Sequence, residues 1–220
     1  MSAQRHAGGI RKARAAQTEQ ALKDAARRVL ARGSYLDTTI GDITTEAGRS
    51  VGSFYRHFAS KEELLQALLV DWLTSAGEQL TAGDTGDDLS QEAALRARVA
   101  VYWHTYREHV PEIRALDQAA LVNAQFAAQL AQLRDAQLQT MREQLARLRD
   151  AGFDLPGDPA ILASAFNALL EGFCRVWLAQ GNPPGGRALT DEEAIETLTG
   201  MLRHGLLGPR DPSESSAPLR

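Results

Sequence analysis

The chain has 220 residues, of which 44% are hydrophobic and 24% charged, a composition that fits a globular protein with one or two cores and excludes a disordered or fibrous chain. One cysteine, Cys174, excludes an internal disulfide and a cysteine-rich metal site, and the histidines at 6, 57, 104, 109 and 204 include no i, i+4 pair of the kind a helical zinc motif needs. The net charge of −4 hides an asymmetry: residues 1–60 carry ten Lys/Arg against five Asp/Glu, and residues 61–220 carry fourteen against twenty-three. A basic front module on an acidic body suits a protein whose first part meets a polyanion, and it also suits an ordinary solvated face.

Apolar residues recur at helical spacing and the breaks carry helix caps, so the sequence predicts an all-α fold of about nine helices. Leu22, Ala25, Ala26, Val29 and Leu30 give the first helix one apolar face, and Gly33 closes it. In the short helix that follows, Thr39 and Asp42 form a capping box, Ile40, Ile43 and Ala47 point inward, and Gly48 is the stop. After the turn Gly48-Arg49-Ser50 comes a second short helix, about Val51 to His57, which completes a helix-turn-helix pattern. Ser60 and Glu63 box a fourth helix whose Leu64, Leu65, Leu68, Leu69, Trp72 and Leu73 share one side. A Gly/Asp loop at 83–88 precedes a fifth helix from near Leu89 to about His109, where Pro111 interrupts it. The helical pattern beyond is divided near Asn123, which caps a long helix closed by Gly152. The eighth helix has Asp158 as cap, Pro159 in its first turn and Gly181 as stop; the ninth has a Thr190/Glu193 box and Gly205 as stop. No run of about 18 uncharged apolar residues occurs, and no apolar core follows the basic N-terminus. Neither a membrane span nor a secretory signal is expected, and the cytoplasm is the expected location.

On a helical wheel Val51, Phe54 and Phe58 share one side of the second short helix, while Gly52, Ser53, Arg56 and His57 share the other. Such a face suits base edges and phosphates in a major groove, with Tyr55 at the boundary offering its hydroxyl to phosphate. Thr39 and Lys61, at the starts of neighbouring helices, are candidate backbone clamps.

The segments Ala25-Ala26, Leu30-Ala31-Arg32-Gly33, Thr38-Thr39-Ile40-Gly41-Asp42-Ile43, Ala47-Gly48, Gly52-Ser53-Phe54-Tyr55-Arg56-His57-Phe58 and Ser60-Lys61-Glu62-Glu63-Leu64 together resemble the N-terminal domain of TetR/AcrR-type transcriptional regulators, over about residues 14–74. The resemblance implies a three-helix DNA-binding head, with its helix-turn-helix at about 39–58, on a helical effector and dimerisation domain. Carried over by position, Thr39, Ser53, Tyr55, His57 and Lys61 are DNA contacts, mostly to phosphate. Arg49 stands where the family often has a small apolar residue and, with Ser50, joins the candidate contacts. Base choice is expected to rest on Val51, Gly52, Ser53 and Arg56. The expected division is a flexible basic arm at 1–13, in which Arg5, Arg11 and Lys12, with Arg14 just beyond, reach DNA or stay solvated, then the head at 14–74, the effector and dimerisation domain at 75–207, and a disordered tail at 208–220.

Within the large domain Trp103, Tyr106, Phe126, Leu130, Leu133, Phe166, Leu170 and Trp177 supply more apolar surface than one packing face needs, and His104, Arg107, Gln129 and Asn167 are polar neighbours able to orient a ligand. They suit a core or, as the resemblance implies, a pocket for a small, largely apolar or aromatic effector. Two stripes, Ile161, Ala165, Ala168, Leu169 and Gly172, then Ile195, Leu198, Thr199 and Leu202, suit a four-helix homodimer interface or the monomer core. The function expected is that of a repressor on a palindromic DNA operator, released by its effector, without cofactor, metal or membrane. An activator, or a DNA-binding protein that senses nothing, is the alternative. An all-helical enzyme is the more distant rival, because no catalytic triad order, phosphate loop or carboxylate pair stands out.

Overall fold

The computed structural model describes residues 2–82, 88–180 and 187–207, with side chains in 12–80, 88–180 and 187–205. Gly181, most of the 83–88 loop, the 208–220 tail and the side chains of Arg5 and Arg11 lie outside the described residues. Within them all regular structure is helical: α1 (Ser2–Arg32), α2 (Ile40–Glu46), α3 (Val51–Phe54), α4 (Lys61–Ala82), α5 (Glu92–Glu108), α6 (Val110–Val122), α7 (Ala124–Asp150), α8 (Pro159–Cys174, continued by a π turn at Arg175–Ala179) and α9 (Asp191–Leu207).

Side-chain caps set most of these boundaries. Thr39 Oγ1 accepts the Asp42 N–H at 3.1 Å while the Asp42 carboxylate accepts the Thr39 N–H at 2.8 Å. Thr190 and Glu193 exchange the same pair at 3.3 and 3.0 Å. Asn123 Oδ1 takes the Phe126 N–H at 3.0 Å and separates α7 from α6, and Asp158 takes the Ala160 N–H at 2.8 Å. Gly48 and Gly152, at φ +60° and +92°, hold the left-handed turns after α2 and α7.

Three boundaries differ from expectation. The backbone of residues 2–13, expected as a flexible arm, continues α1 back to Ser2. Gly205 is not a stop, because it lacks a left-handed φ and α9 winds on to Leu207. The third helix ends at Phe54, since Arg56 and His57 donate to Ser53 and Phe54 three residues back and the segment tightens into a turn.

The chain forms two compact units, one of Met1–Thr74 with His109–Leu130, the other of Ser75–Glu108 with Ala131 onward. In the first, Leu22, Ala25, Ala26 and Leu30 of α1 are buried together with Ile43, Phe54, Phe58, Leu64, Leu65 and Leu68. The sequence placed His109–Leu130 in the effector domain, but polar contacts tie α6 to α1. Gln118 Oε1 accepts the Tyr35 N–H at 2.9 Å and the Ser34 hydroxyl at 3.1 Å. Glu112, only 4% exposed, lies 3.5 Å from Arg27 Nε and 3.2 Å from His109 Nδ1. Beside it, buried Lys23 reaches Asp71 at 3.0 Å and Glu19 at 3.2 Å. Glu112→Ala is expected to cost about 3 kcal/mol in urea unfolding, the low end for a broken buried pair because Arg27 keeps Asp24 and Asp71. Glu112→Gln, which keeps a hydrogen-bond acceptor, is expected to cost less than half of that; equal losses would mean that packing, not charge, holds α6.

In the second unit α5, α8 and α9 pack mutually. Leu95, Val99, Trp103 and Tyr106 of α5 are buried, as are Ala163, Phe166, Leu170 and Cys174 of α8 and Ala194, Ile195, Leu198 and Leu202 of α9. The Arg96–Glu192 and Arg203–Glu92 pairs link α5 to α9 at the surface. By length and composition Pro159–Ala179 is apolar enough to cross a membrane, with 22% of its most apolar stretch buried. Glu171 and Arg175 interrupt its apolar run, and these two pair at 2.8 Å.

Candidate nucleic-acid interface

The helix-turn-helix is built from α2, the left-handed Gly48 and α3. Arg49 N–H donates to Thr44 O at 2.8 Å, closing the turn, and Ser50 Oγ caps α3 by accepting the Ser53 N–H at 3.2 Å. Behind it, Glu46 of α2 takes Arg28 at 2.6 Å and also Arg32, both on α1, and these guanidinium groups hold its carboxyl below the usual range. Phe54, fully buried and 5.7 Å from the Phe58 ring, fixes the roll of α3.

That roll differs from the sequence wheel by roughly 60°. Val51, expected to anchor, is 47% exposed; Ser53, expected to be free, is buried. The wheel was centred on the apolar character of Val51, whereas the Ser50 cap and Phe54 draw Ser53 inward. The exposed face is therefore Arg49, Ser50, Val51, Gly52, Tyr55 and Arg56, with Thr39 exposed at the N-cap of α2. No Asp or Glu occurs between Glu46 and Glu62, so the face is basic.

Of the expected contacts, His57 is turned inward and Lys61 is engaged elsewhere. His57 is half-buried, its Nδ1 4.0 Å from Glu19. Lys61 Nζ donates to Thr38 O at 2.5 Å and Tyr35 O at 3.2 Å and lies 4.3 Å above the Tyr35 ring, so its ammonium holds the loop after α1. Tyr35 in turn donates its hydroxyl to Glu62 at 2.6 Å, and burial together with that carboxylate raises its phenol pKa. Sequence reasoning missed Tyr35; an aromatic residue just past the helix-ending glycine was the available signal.

The effector candidates fall into separate groups. Trp103 is buried and donates its indole N–H to Asp191 at 2.8 Å; Arg107 pairs with the same carboxylate, and His104 Nδ1 lies 3.9 Å from it. These contacts, the Trp103 bond first, hold the Asp191 carboxyl below its usual range and fasten the start of α9, so Trp103, His104 and Arg107 are structural here. Tyr106, Phe166 and Leu170 are buried, and Asn167 and Trp177 half-buried, in the second unit. Phe126 and Leu130 are buried on α7, Leu133 is half-buried, and exposed Gln129 accepts Gln66 at 2.8 Å within the first unit. The sequence reading missed Tyr102, which stacks on Tyr106 at 6.3 Å, with its phenol raised by burial and then by Cys174 and Glu171. Burial, with Glu171 nearby, pushes the Cys174 thiol up to about 12, which favours its protonated form. Gln144 of α7, 3% exposed, and Thr199 of α9 are buried with side-chain polar atoms that have no hydrogen-bond partner among the described residues.

Of the two expected dimer stripes, Ile195, Leu198, Thr199 and Leu202 are buried within the monomer. The more apolar face of α9 belongs to its own core. On α8 Ile161 is 70% exposed, Ala165, Ala168 and Gly172 are exposed, and Leu169 is half-buried.

Residues 22–68 match the model of a family described as bacterial regulatory proteins, tetR family. The chain is 23% identical over 191 residues, 86% of each protein, to the HTH-type transcriptional regulator EthR of Mycolicibacterium smegmatis. It is 34% identical over 85 residues to the uncharacterized HTH-type transcriptional regulator YxbF of Bacillus subtilis, a match over 38% of this chain and 22% of that protein. Among solved structures, AibR in complex with isovaleryl coenzyme A and operator DNA superposes with a TM-score of 0.62 at 21% identity, over 87% of this chain and 99% of that one. A TetR family transcriptional regulator, PfmR of Thermus thermophilus, gives a TM-score of 0.58 at 20% identity, over 86% and 99%.

Proposed function

Because the chain belongs to the tetR family of bacterial regulatory proteins, we propose that it is a cytoplasmic homodimeric repressor, held on a palindromic operator and released by a small, largely apolar or aromatic effector. The observation that carries the DNA half of this reading is the exposed α3 face, where Arg49, Tyr55 and Arg56 surround an acid-free turn. Two such faces in a two-fold dimer reach successive major grooves about 34 Å apart. The uncovered α8 face, with its small residues, supports a second copy of this chain as its partner.

The effector half rests on the second unit, which holds the paired rings Tyr102–Tyr106 and Phe173–Trp177 and a buried Gln144 amide without a hydrogen-bond partner among the described residues. AibR, of the same fold, has been solved with both an acyl coenzyme A and operator DNA, which supports a ligand and DNA acting on one chain. Helix α4 begins in the first unit and ends in the second, which makes it the segment proposed to carry the effector's signal to the head. By linkage, the effector must prefer the DNA-free conformation, and the operator must weaken effector binding by the same factor. The matched curated proteins are regulators, which supports this reading over an enzyme.

The test is selection of random duplexes with the full-length protein, followed by gel shifts at 50 and 200 mM salt. Arg56→Ala is expected to weaken operator binding about 10–100-fold, Ser53→Ala by less than about threefold, and the higher salt to weaken wild-type binding by at least 100-fold. Equal losses for the two variants would restore the sequence wheel, and no selected duplex would remove the DNA reading.

A further inference from the structure

We infer that Val51 reads the 5-methyl group of a thymine in the major groove of each operator half-site. The inference rests on the reading that α3 enters that groove, and it adds the base chemistry that α3 recognises.

Val51 opens a four-residue helix and leaves nearly half its surface in water, where a β-branched residue gains nothing for helix or core. Its i+4 neighbour on the same face is Tyr55, 57% exposed. Between them lies Gly52, where an added Cβ would meet no atom within 4 Å and where φ is not left-handed. The fold therefore requires glycine at 52 neither for space nor for conformation, and a helical glycine is unfavourable relative to alanine. What the missing side chain provides is bare backbone flanked by Val51, Tyr55 and Arg56, which lets α3 approach another surface closely. The positive charges of Arg49 and Arg56 call for an anionic partner surface, and the apolar element that a major groove presents is the thymine methyl. A protein partner of the same face would need carboxylates opposite the arginines and would leave binding insensitive to a single base methyl.

The experiment takes an operator selected from random duplexes by the full-length protein and replaces each thymine in turn by deoxyuridine, which removes only the methyl. One position in each half-site is expected to lose about fourfold in affinity, and both together roughly fifteenfold. In Val51→Ala, whose exposed position leaves the fold intact by thermal unfolding, the same uridines are expected to change affinity by less than about twofold. No uridine effect on a selected operator, or an effect of unchanged size in Val51→Ala, overturns the assignment of Val51 alone. Failure to select any duplex overturns the DNA reading and this inference with it.

Discussion

A Phe54→Ala protein is expected to lose about 3–5 kcal/mol in urea unfolding of the head and to shift no operator DNA at concentrations where wild type is saturated. The magnitude follows from complete burial of the ring and its packing 5.7 Å from Phe58 and edge-on, at 5.6 Å, to Tyr55. The functional loss follows from length, because a four-residue helix has no stability of its own and takes its orientation from the one large side chain it seats in the core. Phe54→Leu, which refills most of the cavity, is expected to recover more than half the stability and measurable binding. Tyr55→Ala should show the converse, losing only about 1 kcal/mol with its edge contact to Phe54 while operator affinity falls. A Phe54→Ala protein with wild-type stability would mean that α3 is positioned by the Ser50 cap alone.

The parts of the molecule legible in the sequence are those written in local chemistry. Thr39 with Asp42, Thr190 with Glu193, Asn123 and Asp158 each cap within three residues of themselves, so their spacing was enough to place α2, α9, α7 and α8. What escaped depends on long-range contacts. The roll of α3 is decided by the burial of Phe54 beside Phe58 in the core of the head, and an apolar Val51 on the open side misleads any wheel drawn from sequence. The amphipathic face of α9 announces a buried stripe truly, but not whether its own core or a second copy covers it. Lys61 matches the family position expected to touch phosphate, yet its ammonium bonds carbonyls more than twenty residues back in sequence. Burial of His109–Leu130 with the head depends on Gln118 and Glu112, polar residues that no hydrophobic pattern marks.

The largest expected effect outside the head comes from α8. Ile161, Ala165, Ala168 and Gly172 fall on one helical face, exposed, opposite the buried Ala163, Phe166, Leu170 and Cys174. A helix apolar on both faces is stable in water only when both are covered, and the small side chains let a second helix approach to about 8 Å. In the proposed two-fold dimer each residue of this face lies near its own copy, so a substitution acts twice at the interface. Ala168→Arg is therefore expected to sediment as a monomer while keeping wild-type helix content, because Ala168 itself contacts little within the chain. Losing the second head removes the linked, effectively intramolecular half of operator binding, and affinity for the full palindrome should fall by about 100-fold or more. Binding to an isolated half-site should stay unchanged, which separates lost dimerisation from a damaged head. Should Ala168→Arg remain dimeric and bind the palindrome as wild type does, the two-fold axis lies elsewhere, and the exposed face of α9 around Met201 becomes the next surface to charge.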